Sequence, residues 1–339
     1  MGHVINAAEQ PTQSFRVDHA SAVHGIAKAA RAAALAAGLP GAMPEQAAVI
    51  ASELGSNLDK HARDGVIAVQ PLLLGHGIEI LAADAGPGMA DLARCLVDGH
   101  STTGTLGAGL GAIRRMATEL HLHSEPGTGT VAAARLINPA GTSLPHKDFG
   151  YVRVPADGER VSGDGLALHR AGEGWTALLV DGLGHGPAAA EAAEQAVLTF
   201  RRDPELPPAR LLTALHHRLR LTRGAAAAVL RVAGGRAEFC GVGNIRGLVL
   251  GDGPRRSLLS RPGVVGLHLI TPQVTTVDLS LGGTVVLHSD GLDATAALLE
   301  TVGPVRLPPA LLATELAHRH RQLRDDATVL IARAREGAG

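Results

Sequence analysis

The sequence predicts an α/β protein of two domains, and three observations lead to that prediction. The chain has 339 residues, which exceeds the length of one ordinary hydrophobic core. Both halves contain helix and strand patterns, but the order of those patterns differs between the halves. Between them, residues 138–150 (NPAGTSLPHKDFG) contain Pro, Gly and Ser without hydrophobic periodicity. We therefore interpret residues 138–150 as a linker, residues 15–137 and 151–335 as the domains, and residues 1–14 as an N-terminal tail.

Composition excludes several classes of protein. Hydrophobic residues make up 45% of the chain and charged residues 19%, which is typical of a globular protein. The formal net charge of −1 and the aromatic content of 2% argue against a nucleic-acid partner. No apolar run reaches membrane-spanning length, and the two cysteines, Cys95 and Cys240, lie far apart. We therefore expect a reduced, cytoplasmic protein that has no membrane partner.

The first half begins with two predicted helices. Residues 18–38 form an Ala-rich periodic segment that Gly38 and Pro40 end. Residues 44–65 form the second helix, with Pro44 in the first turn and Gly65 at the end.

Strands follow these helices. Residues 66–84 read as a hairpin, in which Pro71 indicates an edge strand or a bulge. A helix is predicted near 109–119, before strands at 120–124 and 130–136.

The second half alternates short strand patterns with turns. Two Ala/Leu-rich helices are predicted near 187–200 and 208–221. Residues 224–232 (GAAAAVLRV) fit a strand or a helix equally well, because a run of alanines has no alternation.

The second helix of the first half carries two neighbouring stripes. At about 100° per residue, Ile50, Leu54 and Leu58 share an apolar stripe, and Glu53 and Asn57 lie beside it. A polar stripe that flanks the core face is typical of a helix that lines a cleft.

Three glycine-rich segments follow that helix: DAGPGM at the end of a strand, TLGAGLGAI at a helix start, and PGTGT in a tight turn. Glycines let the backbone approach a ligand closely, and a helix start is a ready site for phosphate. A Rossmann site is excluded, because no apolar strand precedes Gly107 and Gly109.

In this order, ELGSNLDKHA, DAGPGM, TLGAGLGAI and PGTGT resemble the nucleotide-binding boxes of the GHKL ATPase/kinase superfamily, above all small serine kinases of the RsbT type. The resemblance covers about residues 15–137 and implies a GHKL α/β sandwich that binds ATP and Mg²⁺. It implies that Glu53 is the general base, that Asn57 holds Mg²⁺, and that Asp84 accepts the adenine amino group. The other ATP-binding residues that it implies are Lys60, Gly86, Gly88, Thr102, Gly107, Gly109, Leu110, Gly111 and Thr130.

In the second half, aspartates recur at strand ends and turns, at positions widely separated in sequence: Asp164, Asp181, Asp290 and the adjacent pair Asp325 and Asp326. Carboxylates brought together repel one another, so such a cluster without a cation would be costly. Oxygen ligands of this kind suit hard divalent cations.

The series GERVSGDG, LLVDGLGHGPAAAEAA, GVGNIRG, HSDGL and RDDATVLI resembles the metal-dependent protein phosphatases of the PPM fold, in the SpoIIE/RsbX-like branch. The resemblance spans about residues 148–335 and implies an α-β-β-α sandwich with two antiparallel sheets. It implies that Asp181 is catalytic and bridges two Mn²⁺ or Mg²⁺ ions, and that the Gly182 carbonyl is a ligand. The remaining metal ligands that it implies are Asp164, Asp290 and Asp325.

Two details of this site follow from the same resemblance. Asn244 would support the ligands from a neighbouring turn. Asp325 fits the final acidic motif of the family better than Asp326, and the choice between them stays open.

Together, the two resemblances imply an enzyme with opposed chemistry: a PPM-type Ser/Thr phosphatase joined to an RsbT-like serine kinase. The implied partner is a STAS-domain anti-sigma-factor antagonist or a stressosome-type phosphoprotein, with a sigma factor as a further candidate. Such partner switching regulates sigma factors and the stress response. The alternative is that the first domain is a nucleotide-gated, anti-sigma-like binding module without kinase turnover. A homodimer is left open.

Overall fold

The structure, a computed structural model, divides the chain into two compact units. It describes residues 3–5, 12–95, 109–140, 146–251, 254–268, 271–279, 282–293 and 306–334. One unit is Thr12–His146, and the other is Met1–Pro11 together with Lys147–Gly339. The strand β1 (His3–Ile5) therefore belongs to the second unit, although it comes first in the chain. Among the described helices, none combines the length and apolar character that crossing a membrane requires.

The first unit contains an antiparallel sheet of five strands in the order β2-β3-β4-β6-β5. The strands are β2 (Gln13–Arg16), β3 (Val66–Pro71), β4 (Gly77–Asp84), β5 (Glu119–Glu125) and β6 (Gly129–Ile137). The helices are α1 (Ser21–Ala36), α2 (Met43–His61), α3 (Leu92–Cys95) and α4 (Gly109–Met116). Helices α1 and α2 pack on each other and on one face of the sheet.

The end of α2 positions the loop that follows it. Pro44 lies in the first turn of the helix, as predicted, but the helix ends at His61 instead of Gly65. The physical reason is the backbone: Ala62 is extended, and Asp64 has a φ of 53°. The Ala85 N–H donates to the Arg63 carbonyl at 2.8 Å. This bond fixes the α2 end beside the end of β4.

Pro71 does not mark an edge strand, because β3 lies between β2 and β4. Pro71 is the last residue of β3, and the pairing between β2 and β3 reaches only Val69. Pro71 therefore lies beyond the end of β2. The N–H that proline lacks would have no partner on β2, so the sheet loses no hydrogen bond there.

The second unit contains two antiparallel sheets. Sheet I has the order β1-β8-β9-β10-β11-β14, and sheet II has the order β13-β12-β15-β16-β7. The additional strands of sheet I are β8 (Asp164–Ala171), β9 (Gly174–Gly182), β10 (Ala225–Ala233), β11 (Arg236–Val242) and β14 (Thr275–Asp278). The strands of sheet II are β7 (Phe149–Val154), β12 (Arg246–Leu250), β13 (Arg256–Leu259), β15 (Thr284–His288) and β16 (Ala327–Arg333).

Helices cover the outer side of each sheet. Helices α5 (Pro187–Arg202) and α6 (Pro208–Arg218) pack on sheet I, and α7 (Pro309–His320) packs on sheet II. Strand β8 contacts β7 and β16, so the two sheets pack against each other. The predicted fold class, with two α/β domains and an α-β-β-α second domain, is confirmed.

Three segments are more regular than the sequence indicates. The alanine run is strand β10, which pairs with β9 on one side and β11 on the other. Its small side chains let α5 and α6 approach the sheet closely, because Ala225 and Ala227 share a core with Ala193 and Ala196. The segment interpreted as a tail holds β1, and β7 begins at Phe149, inside the segment interpreted as a linker.

Candidate active sites

The second unit places carboxylates at one end of its two sheets. Asp164 is the first residue of β8, Asp181 lies at the end of β9, and the two are direct partners across the strands. Asp290 comes just after β15, and Asp325 comes just before β16. Because β15 and β16 are antiparallel neighbours, the end of one and the start of the other lie at the same edge.

Asn244 connects the carboxylates of the two sheets. Its amide nitrogen donates to Asp181 Oδ2 at 2.9 Å and to Asp290 Oδ2 at 2.7 Å. Asn244 lies in the turn between β11 of sheet I and β12 of sheet II, which explains how one side chain reaches both. The partially positive N–H groups lie between two negative groups, where they offset repulsion.

Burial and mutual repulsion make these carboxylates hard to ionise. Burial, together with the neighbouring Asp164 and Asp290, raises the pKa of Asp181 to about 9. Burial raises the pKa of Asp164 to about 7, despite the opposing hydrogen bond that Ser289 Oγ donates to Asp164 Oδ2 at 2.7 Å. Burial, and then Asp290, raise the pKa of Asp325. Such crowding is the electrostatic condition of a cation site.

The donor atoms fit hard divalent cations. All four side chains offer carboxylate oxygens, the ligands that Mg²⁺ and Mn²⁺ prefer. Asp164 Oδ1 is buried and has no hydrogen-bond partner among the described residues, which leaves one oxygen available as a ligand. In the described ranges, no three His, Cys, Asp or Glu side chains converge as a finished metal site.

Asp325 and Asp326 have different surroundings. Asp326 is buried, and its Oδ1 and Oδ2 accept the N–H groups of Ala156 and Gly163 at 2.9 and 2.8 Å. Asp325 is half-buried, and its Oδ1 accepts only the Asp326 N–H, at 2.9 Å. Asp326 therefore holds loops together, and Asp325 is the more available of the two as a ligand.

Gly182 lies where α5 comes closest to β9. A Cβ added to Gly182 would lie 2.4 Å from the Ala189 carbonyl oxygen, so only glycine fits.

The turn that follows Gly182, residues 183–186, carries His185, whose Nδ1 lies 2.8 Å from Glu159 Oε1. Sequence reasoning gave no role to His185 or to Ser289, although both lie within the quoted motifs.

In the first unit, α2 carries the predicted polar stripe. Glu53 and Asn57 are half-buried beside the apolar stripe of Ile50 and Leu54, and Lys60 is exposed. Within the part of the chain that the structure describes, no hydrogen bond or ion pair holds the side chain of Glu53 or Asn57. These two side chains are therefore available to a ligand on the side of α2 next to its contacts with β4 and α4.

The loop after β4 is a tightly built turn. Asp84 is buried, and its Oδ1 accepts the Gly86 N–H at 2.6 Å. A Cβ on Gly86 would lie 2.9 Å from the His61 carbonyl oxygen, at the end of α2. Gly88 has a φ of 66°, and a Cβ there would lie 2.1 Å from the Glu125 carbonyl oxygen. The two glycines thus bring this loop against both α2 and the turn after β5.

Three polar side chains form a row across the sheet at this end. Asp84 pairs with Thr130 on β6, and Thr130 pairs with Ser124 on β5. The two hydroxyl oxygens are 2.9 Å apart, and Ser124 Oγ also accepts the Met89 N–H at 2.8 Å. Asp84 lies on the same face as the core residues Ile80 and Ala82, since side chains alternate along a strand. Ser124 was missed by the sequence reasoning.

The structure covers only part of the third glycine segment. Gly109, Leu110 and Gly111 form the first turn of α4, which packs on α2. Thr102 and Gly107 lie outside the described residues.

Two family models match the chain, one in each unit. Residues 15–135 match the histidine kinase-like ATPase domain. Residues 171–335 match Stage II sporulation protein E (SpoIIE).

Individual proteins are also similar to this chain. The serine/threonine-protein kinase RsbT of Bacillus subtilis (strain 168) is 40% identical over 81 residues, which are 23% of this chain and 61% of the relative. The chain thus spans about three fifths of the length of that relative. A solved structure of the bacterial stressosome, a modular system adapted to control secondary messenger signaling, is 29% identical with a TM-score of 0.51, and the match covers 55% of this chain and 98% of that one.

A solved structure of the PP2C phosphatase domain and a regulatory fragment of SpoIIE from Bacillus subtilis is 16% identical, with a TM-score of 0.48. That match covers 78% of this chain and 82% of the other. The two family models and the RsbT relative confirm both resemblances. The chain is a fusion of a histidine kinase-like ATPase domain, homologous to RsbT, and a domain of the SpoIIE family.

Proposed function

We propose that the second domain is a metal-dependent phosphatase that removes phosphate from Ser or Thr of a partner protein. The observation that carries this proposal is the meeting of Asp164, Asp181, Asp290 and Asp325 from two sheets, with Asn244 between two of them. Four crowded carboxylates cost stability without a compensating cation, so a function that uses the cation accounts for them.

In this proposal, Asp181, the Gly182 carbonyl, Asp164, Asp290 and Asp325 would hold two Mg²⁺ or Mn²⁺ ions, with Asp181 as the central ligand. Bound cations would supply electrophilic stabilisation of the negative charge on a phosphate ester. The protein contributes the rigid positions of the ligands, because Asp164 and Asp181 are paired within a sheet and Ser289 orients Asp164. Asn244 sets the distance between Asp181 and Asp290.

We further propose that the first domain binds ATP and phosphorylates serine on the partner. Asn57 holds Mg²⁺, Asp84 accepts the adenine amino group, and Glu53 takes the proton of the attacking hydroxyl. Glu53 lies one turn before Asn57, so both face the same cleft. A carboxylate near the phosphates of ATP would repel them, which favours a role for Glu53 in proton transfer over a role in binding.

The remaining residues that we propose to contact ATP are Lys60, Gly86, Gly88, Thr102, Gly107, Gly109, Leu110, Gly111 and Thr130. The identity of 40% with the serine/threonine-protein kinase RsbT supports a kinase of this type. The likeness to a solved structure of the bacterial stressosome supports a partner from such a system. On this basis we propose a STAS-domain antagonist or a stressosome-type phosphoprotein as the partner. The setting would be sigma-factor control in the cytoplasm.

Hydrolysis of p-nitrophenyl phosphate by the full chain tests the phosphatase proposal. We expect turnover with Mn²⁺ or Mg²⁺, and a loss of about 10³-fold or more in Asp181→Asn, since the bridging charge is removed. Asp278→Asn is the control, because Asp278 is an exposed aspartate on the edge strand β14 of the same sheet. Equal turnover of the wild type in EDTA would contradict the proposal.

Glu53→Gln separates a kinase from the binding module. We expect this variant to bind ATP at least as well as the wild type and to phosphorylate its partner about 10²- to 10⁴-fold more slowly. Calorimetry measures the nucleotide affinity, and intact mass measures phosphate transfer in an Asp181→Asn background that cannot erase the product. Glu45→Gln is the control, because Glu45 lies near the start of α2 in an exposed ion pair with Arg31. Transfer at the wild-type rate in Glu53→Gln would rule out the general-base role.

A further inference from the structure

The turn after the bridging carboxylate is surrounded by exposed leucines. Leu183 directly follows Gly182 and is 40% exposed, Leu221 is 99% exposed, and Leu267 is 59% exposed. Single exposed leucines are ordinary on protein surfaces, whereas leucines that converge on one place indicate a binding surface.

These leucines come from three loops that meet at Gly224. The Leu183 N–H donates to the Gly224 carbonyl at 3.1 Å. A Cβ on Gly224 would lie 3.2 Å from Leu267 Cγ, so Leu267 covers that glycine. Leu221 precedes Gly224 by three residues, at the end of a short 3₁₀ turn.

A free cation lies among them. The Arg223 side chain is exposed, and its Nη1 lies 3.4 Å from the point where a Cβ on Gly184 would sit. Of the residues that the structure describes, none forms an ion pair or hydrogen bond with this guanidinium. The Arg223 guanidinium therefore lies next to the turn that follows Asp181, and it is available to an anion from outside the chain.

Other basic side chains lie on or next to the loops that carry these leucines. Arg220, His217 and His268 surround His216, and they add to the effect of burial that lowers the pKa of His216. The His216 ring also binds the loop of Leu267, because its Nδ1 accepts the Gly266 N–H at 3.0 Å. Glu159, which reaches this turn from the loop between β7 and β8, is paired with His185. A ligand here is therefore an anion with apolar neighbours.

We infer that Leu183, Leu221, Leu267 and Arg223 form a docking surface for the segment of a partner protein that carries the phosphate ester. Arg223 pairs with the phosphate, and the three leucines cover apolar side chains next to the phosphorylated residue. This inference rests on the proposed phosphatase function, and it adds to that function a preference for phosphoserine or phosphothreonine with apolar flanks. The surface adjoins the carboxylate end of sheet I, where the ester must reach the metal ligands.

Two phosphoserine peptides test this surface, one with leucine on both sides of the phosphoserine and one with serine there. We expect the full-length wild type with Mg²⁺ to favour the leucine peptide in kcat/KM by about tenfold. A variant with Leu183→Ser, Leu221→Ser and Leu267→Ser should lose that preference and keep its turnover of p-nitrophenyl phosphate. Leu198→Ser is the control, because Leu198 has the same 40% exposure far along α5.

Arg223→Ala should raise KM about tenfold or more for both peptides and for p-nitrophenyl phosphate, and Arg223→Lys should restore part of that loss. Arg236→Ala is the control, since Arg236 lies at the opposite end of sheet I. A structural role of Arg223 would instead change the unfolding midpoint and would affect kcat as well as KM.

Binding of a fluorescent leucine peptide that carries a nonhydrolysable phosphonate, measured by anisotropy, tests docking without turnover. We expect about tenfold weaker binding in the leucine variant and in Arg223→Ala, with unchanged binding in Leu198→Ser and Arg236→Ala. Equal binding in all these variants would overturn the inference. If the wild type binds this peptide as expected but hydrolyses no ester with Mg²⁺ or Mn²⁺, the docking surface stands and the proposed phosphatase function fails.

Discussion

Asp326→Ala should destabilise the second unit strongly, because the buried Asp326 binds both ends of the loop between β7 and β8. The side chain is only 3% exposed, and its two oxygens accept the Ala156 and Gly163 N–H groups at 2.9 and 2.8 Å. Ala156 follows β7 of sheet II, and Gly163 precedes β8 of sheet I. An orphaned buried N–H costs about 1–3 kcal/mol, so the variant should lose about 2–6 kcal/mol of unfolding free energy.

Relief of electrostatic repulsion reduces this loss. Asp326 is one of the groups that raise the pKa of the buried Asp164, so its removal makes Asp164 easier to ionise. We therefore expect the lower half of that range. Urea unfolding measures it, and the fluorescence of the single tryptophan, Trp175 on β9, reports on this unit alone.

Asp325→Ala is the matched comparison. Its Oδ1 accepts one N–H, that of Asp326, and the side chain is half-buried, so we expect a loss of about 1 kcal/mol or less. The same variant should lose most of its Mg²⁺-dependent turnover. The reasoning would be refuted if Asp326→Ala unfolded at the wild-type urea concentration, or if Asp325→Ala were equally destabilised.

Three further predictions concern the two sites. Gly88→Ala should weaken ATP binding, and it should lower the stability of the first unit by more than Gly127→Ala does. Both glycines have a positive φ, but only a Cβ at Gly88 would meet backbone, 2.1 Å from a carbonyl oxygen. Equal effects of the two substitutions in thermal unfolding would contradict this close approach. Asn57→Ala should weaken Mg·ATP binding in calorimetry while turnover of p-nitrophenyl phosphate stays at the wild-type level, and wild-type ATP affinity would show that the metal contact lies elsewhere. The raised pKa of Asp181, about 9, makes the metal-free protein lose stability as the pH rises from about 4 to about 9, because the folded protein keeps a proton on this carboxyl that the unfolded chain has released. Mg²⁺ should restore more stability at pH 8 than at pH 6, and Asp181→Asn should flatten both trends in thermal unfolding.

Helices and strands with local periodicity could be predicted from the sequence. Helix α2 begins where its proline indicates, and its polar stripe lies beside the apolar one as the 100° rotation requires. The alanine run of β10 could not be assigned, because its conformation is set by pairing with β9 and β11. The strand β1 was missed for the same reason, since its partner β8 is more than a hundred residues away in sequence.

Candidate site residues followed from motifs, whereas their local roles depend on distant contacts. Asp325 and Asp326 are adjacent and chemically identical, and they differ only through bonds that Asp326 accepts from residues 163 and 170 positions away. Arg223 and Leu267 lie in no motif, and only the meeting of loops at Gly224 places them beside the turn after Asp181. Sequence reasoning alone has no access to such a juxtaposition.

Intact mass of a co-purified partner protein, incubated with ATP and Mg²⁺, tests most directly the claim that the two domains carry opposed activities. We predict that the partner gains the mass of one phosphate with Asp181→Asn, remains unmodified with wild type, and loses the phosphate again when wild type is added to the Asp181→Asn reaction. Partner that never gains phosphate with Asp181→Asn would contradict the kinase assignment. Partner that keeps its phosphate after addition of the wild type would contradict the phosphatase assignment.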